Sequence, residues 1–315
     1  MIFNKKTIQD KEYTLSFTNN FLQELLYITE CNNLLSQDIT MFITPILAAA
    51  AITATPANWA KVSRPASLTE SSQPIGEYSN GCISGAVKAD LNNPYYQVIR
   101  QQNKRFYGHP ILVEYIGDLA ERAHKAGLPI LLVGDMAMPR GGRFSSGHAS
   151  HQTGLDVDIW FRTVKAPLSA ENLKKPWALT IVKDNFLETN KYYNKDIYTM
   201  VKLAATDDRV GRIFVNAAIK NQLCNDTPEK ERAWLHKVRP WWGHTAHMHV
   251  RLNCPEGAVN CVKQAPIPAG DGCGPEVKSW LDAILHPKKP DPNQKPKKPV
   301  KKIPPAMCED LINLK

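Results

Sequence analysis

Five of the nine histidines in this sequence fall in two short segments, GHASHQTGLDVDI and GHTAHMHV. Their side chains that could bind a metal are His148, His151, Asp156 and Asp158 in the first segment, and His244, His247 and His249 in the second. Neutral imidazole nitrogens and carboxylate oxygens are donors that zinc takes in proteins, and a catalytic zinc keeps one position open for water. The two segments together predict a zinc site, and three protein ligands would favour a hydrolase.

Both segments contain an alternating pattern that predicts a β-strand, over residues 155–161 and over residues 247–252. Within each predicted strand the candidate ligands are two positions apart, so they lie on the same face, with apolar side chains behind them. His151 precedes the first strand on a loop flanked by glycine. A loop and two strands can therefore bring His151 and Asp158 to the histidines, and Asp156 remains an alternative to Asp158 as ligand.

Each motif alone has a simpler explanation. An HxxH pattern is common on protein surfaces, and an HxH pattern on a strand can be two half-exposed rings without a metal. The two motifs together, with a carboxylate on the matching face and no competing cysteine cluster, favour the metal site.

Other segments predict the elements around this site. A helix is expected from Pro110 to about Lys125, where apolar residues recur every three or four positions between an initial proline and a terminal glycine. Further helices are expected around residues 196–205, 216–224 and 229–237, a buried strand over 128–136 and another near 212–215. The stretch 61–81 is rich in Ser, Pro and Gly and is expected to be irregular.

Composition and the N-terminal region indicate an exported globular protein. The chain has 315 residues, a formal net charge of +9 and 43% hydrophobic residues, which disfavours wholesale disorder and a polytopic membrane protein. The run MFITPILAAAAITATPANWA from Met41 resembles the apolar core of a secretory signal, with cleavage around residues 54–60. A buried alanine-rich helix is the alternative, and Asp38 stands where a signal usually carries positive charge.

The cysteines favour the same compartment. Without Cys31 of the leader, an even number remains, namely Cys82, Cys224, Cys254, Cys261, Cys273 and Cys308. No CxxC motif occurs among them, so disulfides in an oxidising compartment are a simpler explanation than a zinc ribbon or buried free thiols. Spacing alone favours only the pair Cys254–Cys261.

The C-terminal residues 284–315 form a tail rich in proline and lysine, which predicts an extended, solvated segment that would adhere to polyanions. A disulfide from Cys308 would fasten this tail to the body. Arg140 and Arg143, beside the first histidine motif, could bind substrate carboxylates or could simply belong to a solvated basic loop.

The segments GDMAMPRGGRFSSGHASHQTGLDVDIW and KVRPWWGHTAHMHVRLNC together resemble the penicillin-insensitive murein endopeptidases. These are exported zinc peptidases grouped with the D-alanyl-D-alanine metallocarboxypeptidases and the lysostaphin-type enzymes. The resemblance extends from SNGCISG at residues 79–85 to GDGCGPEVKSW at residues 270–280. It therefore covers nearly all of the predicted mature domain.

This resemblance implies roles for particular residues. The metal ligands would be His151, Asp158 and His249, with His148 as a further ligand or as a group that orients one. His247 would be the general base, and a protonated His244 would stabilise the oxyanion. Some members of the family have a second metal site, but the matching positions here are Asn185 and Glu188, next to Asp184, and no second metal is expected. The implied disulfides are Cys82–Cys308, Cys224–Cys273 and Cys254–Cys261.

The resemblance also implies an α+β fold, a single domain around a small antiparallel sheet with peripheral helices and long loops. The predicted organisation is an N-terminal extension over residues 1–40, a signal peptide over 41–57, a zinc endopeptidase domain over 58–283 and the tail over 284–315. The implied activity is hydrolysis of D-alanyl-meso-diaminopimelyl crosslinks, with diaminopimelyl-diaminopimelyl crosslinks as a further substrate.

The predicted partner is peptidoglycan and the predicted location the periplasm. No nucleic acid is expected, and no membrane span is expected after signal removal; a homodimer stays open. Two alternatives remain: a D,D-carboxypeptidase or dipeptidase with the same zinc site, and a non-catalytic protein that binds the cell wall.

Overall fold

The structure is a computed structural model, and it describes residues 51–287 and 302–315. The predicted extension over residues 1–40, most of the predicted signal peptide and the lysine-rich part of the tail from 288 to 301 lie outside the described residues. None of the helices within the described ranges has the length and apolar character that crossing a bilayer requires.

The elements follow one another with short strands and mostly short helices. The helices are α1 (Pro56–Trp59), α2 (Pro110–Lys125), α3 (Ala170–Lys174), α4 (Lys195–Ala205), α5 (Ala217–Asp226), α6 (Pro275–Leu285) and α7 (Ala306–Asn313), with 3-10 helices at Gln101–Asn103 and Glu229–Lys237. The strands are β1 (Gln73–Glu77), β2 (Asn80–Ser84), β3 (Val87–Lys88), β4 (Tyr96–Val98), β5 (Tyr107–Gly108), β6 (Leu131–Val133), β7 (Asp156–Trp160), β8 (Val210–Val215), β9 (Val238–Pro240) and β10 (His247–Leu252).

A six-stranded mixed sheet lies at the centre, in the strand order β4-β6-β7-β10-β8-β9. The inner pairs are antiparallel, whereas the outer pairs β4–β6 and β8–β9 are parallel. Parallel neighbours need a long crossover; α2 lies in the crossover from β4 to β6, and α5 and the second 3-10 helix lie in the one from β8 to β9. The predicted α+β class is confirmed, but the sheet is larger than predicted and mixed rather than antiparallel.

The helix predicted from the strongest periodicity, α2, has the bounds expected from the sequence. His109 caps its first turn by accepting a hydrogen bond from the backbone N–H of Ile111, and Pro110 occupies the first helical position, where it costs no hydrogen bond. Leu112, Ile116 and other apolar residues of this face are buried in the main core, which they share with one face of β7 and β10. The opposite face of those two strands is thereby left for polar side chains.

The segment expected to be irregular contains an antiparallel hairpin, β1–β2. Pro74 and Gly76 in β1 and Gly81 in β2 conceal the alternating pattern, because these residue types usually indicate turns. Here they are needed for close packing: a Cβ atom at Gly81 would lie only 2.2 Å from the carbonyl oxygen of Ile75. The sequence therefore did not predict the hairpin, because its glycines allow the two strand backbones to pack closely and do not mark a turn.

A second, smaller core lies behind the loop that carries the first histidine motif. It consists of apolar side chains from α1, the β1–β2 hairpin, α7 and that loop, namely Trp59, Ile75, Cys82, Met138, Phe144, Cys308, Leu311 and Ile312. The C-terminal end of the predicted tail is thus a folded helix. Arg140 is buried beside it and donates hydrogen bonds to the carbonyl oxygens of Leu311 and Leu314.

Three disulfides join the pairs implied by the family resemblance: Cys82–Cys308, Cys224–Cys273 and Cys254–Cys261. Disulfides persist in oxidising compartments and are rare in the cytosol. They favour a protein that is exported.

Removing Cys82–Cys308 by a double alanine variant should destabilise the fold more than removing Cys254–Cys261. The first bond spans 226 residues and the second spans 7. Because the entropy that a disulfide removes from the unfolded chain grows with loop length, the expected losses are about 5 and about 2 kcal/mol. Thermal unfolding of both double variants measures this difference, and equal decreases in Tm would contradict it.

Candidate metal centre

The register of β7 and β10 places the candidate residues opposite one another. His249 pairs with Asp158, and Arg251 pairs with Asp156. Residues directly opposite in an antiparallel pair have Cβ atoms about 4.5–5.5 Å apart, so these side chains can make direct contact. Both strands lie in the interior of the sheet, with strand neighbours on each side. One cross-strand pair therefore holds a histidine and a carboxylate of the predicted site in rigid structure.

The loop before β7 brings the third residue, His151, to the same place. Its backbone is left-handed, with φ of 69°, a conformation that non-glycine residues adopt only when surrounding contacts enforce it. The contacts are visible: its backbone N–H donates to Asp156 Oδ2 at 3.1 Å, and the ring of Phe144 stacks on its imidazole. The small core behind the loop thus fixes the position of His151.

Four side chains that could bind a metal converge here, with one ligand atom from each within 4.8 Å of the others: His148, His151, Asp158 and His249. His249 Nδ1 and His151 Nε2 lie 3.1 and 3.4 Å from Asp158 Oδ1. His148 Nε2 lies 3.3 Å from Asp158 Oδ2. In a tetrahedral zinc site with bonds of about 2.0–2.1 Å, ligand atoms are about 3.3 Å apart. The spacing fits such a site.

The hydrogen bonding supports the same conclusion. His151 Nε2 and both carboxylate oxygens of Asp158 are buried, and their close mutual contacts lack hydrogen-bond geometry, so they have no hydrogen-bond partner among the residues that the structure describes. Buried polar atoms are nearly always paired, and leaving one unpaired costs about 1–3 kcal/mol. A cation among these atoms would satisfy all of them at once, so the donor set fits a metal.

Asp156 has a different role from the one left open by the sequence. Its Oδ1 accepts hydrogen bonds from His249 Nε2 at 2.9 Å and from Arg251 Nε at 2.6 Å, and its backbone oxygen lies 3.4 Å from His151 Nδ1. His151 and His249 therefore each have one nitrogen toward the cluster and the other against Asp156. Metal-binding histidines typically donate their second N–H in this way, which fixes ring orientation. These contacts favour a positioning role for Asp156 over its use in place of Asp158.

Replacing Asp156 by alanine should lower zinc affinity roughly 10- to 100-fold, because both ligand rings lose the group that orients them. Competition with a fluorescent zinc chelator measures the affinity directly. Asp118→Ala is the matched control, because it removes a partly exposed carboxylate of α2 that pairs with Arg209 and not with the cluster. Unchanged zinc affinity in Asp156→Ala would contradict the positioning role.

The electrostatics of the buried ligands reflect their mutual charges. Burial alone would raise the pKa of Asp158, but the neighbouring His247 and His151 hold it well below the usual range. Burial alone would lower the pKa of His249, but Asp156 and Asp158 outweigh burial and raise it to about 9. Metal binding requires a neutral imidazole, so a cation bound here would displace the proton that these carboxylates favour on His249.

His247 lies beside the cluster. Its Nε2 is buried, 3.7 Å from Asp158 Oδ1, and has no hydrogen-bond partner among the described residues. Burial lowers the pKa of its ring, although Asp158 opposes this change. A neutral imidazole with an unpaired nitrogen is suited to accept a proton.

His244 also lies against the site, with its ring centroid 5.1 Å from that of His247. Burial, together with His247 and His249, lowers the pKa of His244 to about 4. Its Nδ1 lies 2.8 Å from the carbonyl oxygen of Trp242, which can only accept, so Nδ1 carries the proton. Nε2 of the neutral ring is then an acceptor, and the arrangement does not favour the protonated, oxyanion-stabilising His244 expected from the sequence.

The sequence did not predict three residues at the edge of the site, namely Asp135, Arg100 and Arg105. Asp135 is buried, and its carboxylate contacts Arg100 at 3.2 Å, Arg105 at 2.9 Å and His148 Nε2 at 3.9 Å. A signal existed for Asp135, since it is an acidic residue that follows an apolar buried strand. Nothing in their spacing distinguishes Arg100 and Arg105 from the other basic residues.

Other sequence predictions lie away from the cluster. Arg140 is buried against α7 and is not available to a substrate, while Arg143 is exposed on the loop. The positions matched to a second metal are exposed: Glu188 pairs with Lys183, and the Asn185 side chain accepts from the backbone of Leu187.

Comparison with known proteins identifies the family. The family model described as penicillin-insensitive murein endopeptidase matches residues 74–313. A relative of that name from Klebsiella pneumoniae subsp. pneumoniae is 46% identical over 272 residues, covering 85% of this chain and 94% of the relative. One from Haemophilus influenzae is 46% identical over 265 residues, covering 83% and 90%. One from Yersinia enterocolitica is 45% identical over 275 residues, covering 86% and 93%. With such similarity over most of its length, the chain belongs to the penicillin-insensitive murein endopeptidases.

Proposed function

We propose that this chain is a zinc-dependent endopeptidase that hydrolyses the D-alanyl-meso-diaminopimelyl crosslinks of peptidoglycan. Diaminopimelyl-diaminopimelyl crosslinks are a second candidate substrate. One observation carries the proposal: in a chain of this family, buried atoms of His151 and Asp158 that have no partner in the described part of the chain converge with His249 at the spacing of a zinc site. Because disulfides and a murein substrate both belong outside the cytoplasm, the proposed location is the periplasm.

In this proposal His151 binds zinc through Nε2, His249 through Nδ1 and Asp158 through its carboxylate. His148 is the candidate for a fourth contact; its side chain is 24% exposed, whereas those of the other three are nearly inaccessible. A partly exposed residue is a weaker candidate for a permanent ligand than a buried one. The three buried residues are therefore the permanent ligands.

Zinc, when bound, supplies Lewis acidity and makes water nucleophilic near neutral pH. The chain's own residues then handle the protons. His247 accepts the proton of the attacking water at Nε2 and donates it to the leaving amine, because an imidazole can serve both steps near neutral pH. His244 stays close enough to His247 to influence that transfer as a neutral acceptor.

This scheme uses no nucleophilic serine, so no acyl-enzyme forms. A β-lactam acts by acylating such a serine and would have no target in this site. The proposed chemistry is consistent with the penicillin insensitivity for which the family is named.

Product analysis on defined muropeptides tests the proposal. Purified protein should convert crosslinked dimers into monomers, with the activity lost on chelation and restored by zinc. Loss of only terminal D-alanine, with dimers intact, would instead indicate a D,D-carboxypeptidase. Binding to sacculi without any release of peptide would indicate a non-catalytic wall-binding protein.

A further inference from the structure

A cavity of about 480 Å³ adjoins the candidate metal centre on the side of His148. Its walls come from the first 3-10 helix, the loop after it and the loop before His148, and include Arg100, Arg105, Asp135, Ser146 and His148. The cavity shares His148 with the metal cluster. A molecule that reaches the reacting centre can therefore extend into this cavity.

The cavity has a surplus of positive charge. Two guanidinium groups, Arg100 and Arg105, face a single buried carboxylate, Asp135. Arg105 alone would neutralise Asp135, since its Nη1 donates to Asp135 Oδ2 at 2.9 Å while its Nη2 reaches the Ser146 carbonyl oxygen at 3.3 Å. The second arginine thus exceeds what the ion pair requires.

The hydrogen bonds of Arg100 to the described residues leave part of its guanidinium unused. Its Nη2 lies near Asp135 and the Gly134 carbonyl oxygen, but its Nε is buried without a hydrogen-bond partner among the described residues. Its side chain is 30% exposed, so it reaches the cavity rather than the interior. A guanidinium held on one side by a carboxylate and partly exposed to the cavity can bind a second carboxylate with defined geometry.

The position of Arg100 is enforced. Its backbone is left-handed, with φ of 53°, and its N–H donates to the Leu173 carbonyl oxygen at 2.8 Å. Its guanidinium also lies 5.4 Å from the ring centre of Trp160, on the strand that carries Asp158. The same strand therefore sets the distance between this arginine and the metal cluster.

We propose that Arg100, positioned by Asp135, binds a free carboxylate of the peptide beside the bond to be cleaved and so determines substrate specificity. This inference rests on the proposed function, in which the crosslink ends at diaminopimelate, an amino acid with a carboxylate next to its crosslinked amine. A guanidinium beside the metal cluster matches that group in charge and shape. Crosslinks whose diaminopimelate carboxyl is amidated should be poor ligands.

The test compares two crosslinked dimers, one with the diaminopimelate carboxyl next to the crosslink free and one with it amidated. Calorimetric binding to chelator-treated protein avoids cleavage, and KM and kcat of the zinc-loaded protein give a second readout. Wild type should bind the free-carboxylate dimer roughly 10- to 100-fold more tightly than the amidated one, the range for a charged hydrogen bond. Arg100→Gln should abolish this difference, mainly through KM.

Lys104→Gln is the matched control, because it removes one positive charge next to the cavity but outside its lining. It should keep the discrimination. The proposal is overturned if wild type binds both dimers equally or binds neither, or if Arg100→Gln still discriminates between them. If Arg100→Gln does not fold, the proposal is judged by whether wild type binds the free-carboxylate dimer more tightly than the amidated one. Discrimination in binding without cleavage of either dimer would refute the proposed function and leave this carboxylate site standing.

Discussion

Replacing His151 by alanine should abolish stoichiometric zinc binding and reduce crosslink hydrolysis to background. The ring is fully buried, its Nε2 has no partner among the described residues, and it faces the Asp158 carboxylate at 3.4 Å. Its removal leaves two buried ligands, so the affinity of the site should fall by orders of magnitude. Metal analysis of the purified variant, together with dimer cleavage before and after zinc addition, measures both effects.

His124→Ala is the control for this experiment. His124 is exposed on α2 and stacks on Tyr95, so its loss removes an imidazole without approaching the cluster. It should keep zinc and activity. A His151→Ala protein that retains one tightly bound zinc per chain would refute the ligand set, whatever its activity.

His247→Ala should behave differently: kcat should fall by roughly 10²- to 10⁴-fold while zinc content stays at the wild-type level. The residue lies on the ligand face of β10, but its Nε2 contacts Asp158 at 3.7 Å, longer than the 3.1 Å from His249 Nδ1. A general base contributes to the chemical step and not to holding the metal. The loss should therefore appear in kcat, with KM little changed.

Metal analysis separates this role from that of a ligand. Concurrent loss of zinc and activity would make His247 a ligand, and full activity would leave the proton transfer to another group. His244→Ala is the informative comparison, because His244 contacts His247 without lying on the strand. It should lower kcat less than His247→Ala does.

Local patterns in the sequence predicted the strands of the site. Alternation in LDVDIWF and HMHVRL predicted β7 and β10, and the side chains on one face of each followed from the period of two. The bounds of α2 also followed from local signals, namely a proline at its start, a glycine beyond its end and an apolar face between them. Such features depend on nearest neighbours along the chain, so a single sequence reveals them.

The disulfides also differ in whether local sequence could predict them. Cys254–Cys261 could be favoured from spacing because a short loop brings its ends together by itself. Cys82–Cys308, across 226 positions, could be paired only by resemblance to a family, since nothing local relates the two cysteines. The folded α7 was hidden for the same reason: its partners in the small core come from distant segments.

The sequence alone thus determined which side chains could bind a metal and on which strand faces they lie. The tertiary structure decided how they are used. Strand register set Asp158 against His249 and Asp156 against Arg251, which made one carboxylate a candidate ligand and the other its support. Long-range packing buried Arg140 under α7 and brought Arg100 and Arg105 to Asp135. Register and packing depend on contacts between residues far apart in the chain, and the pattern along one segment does not contain them.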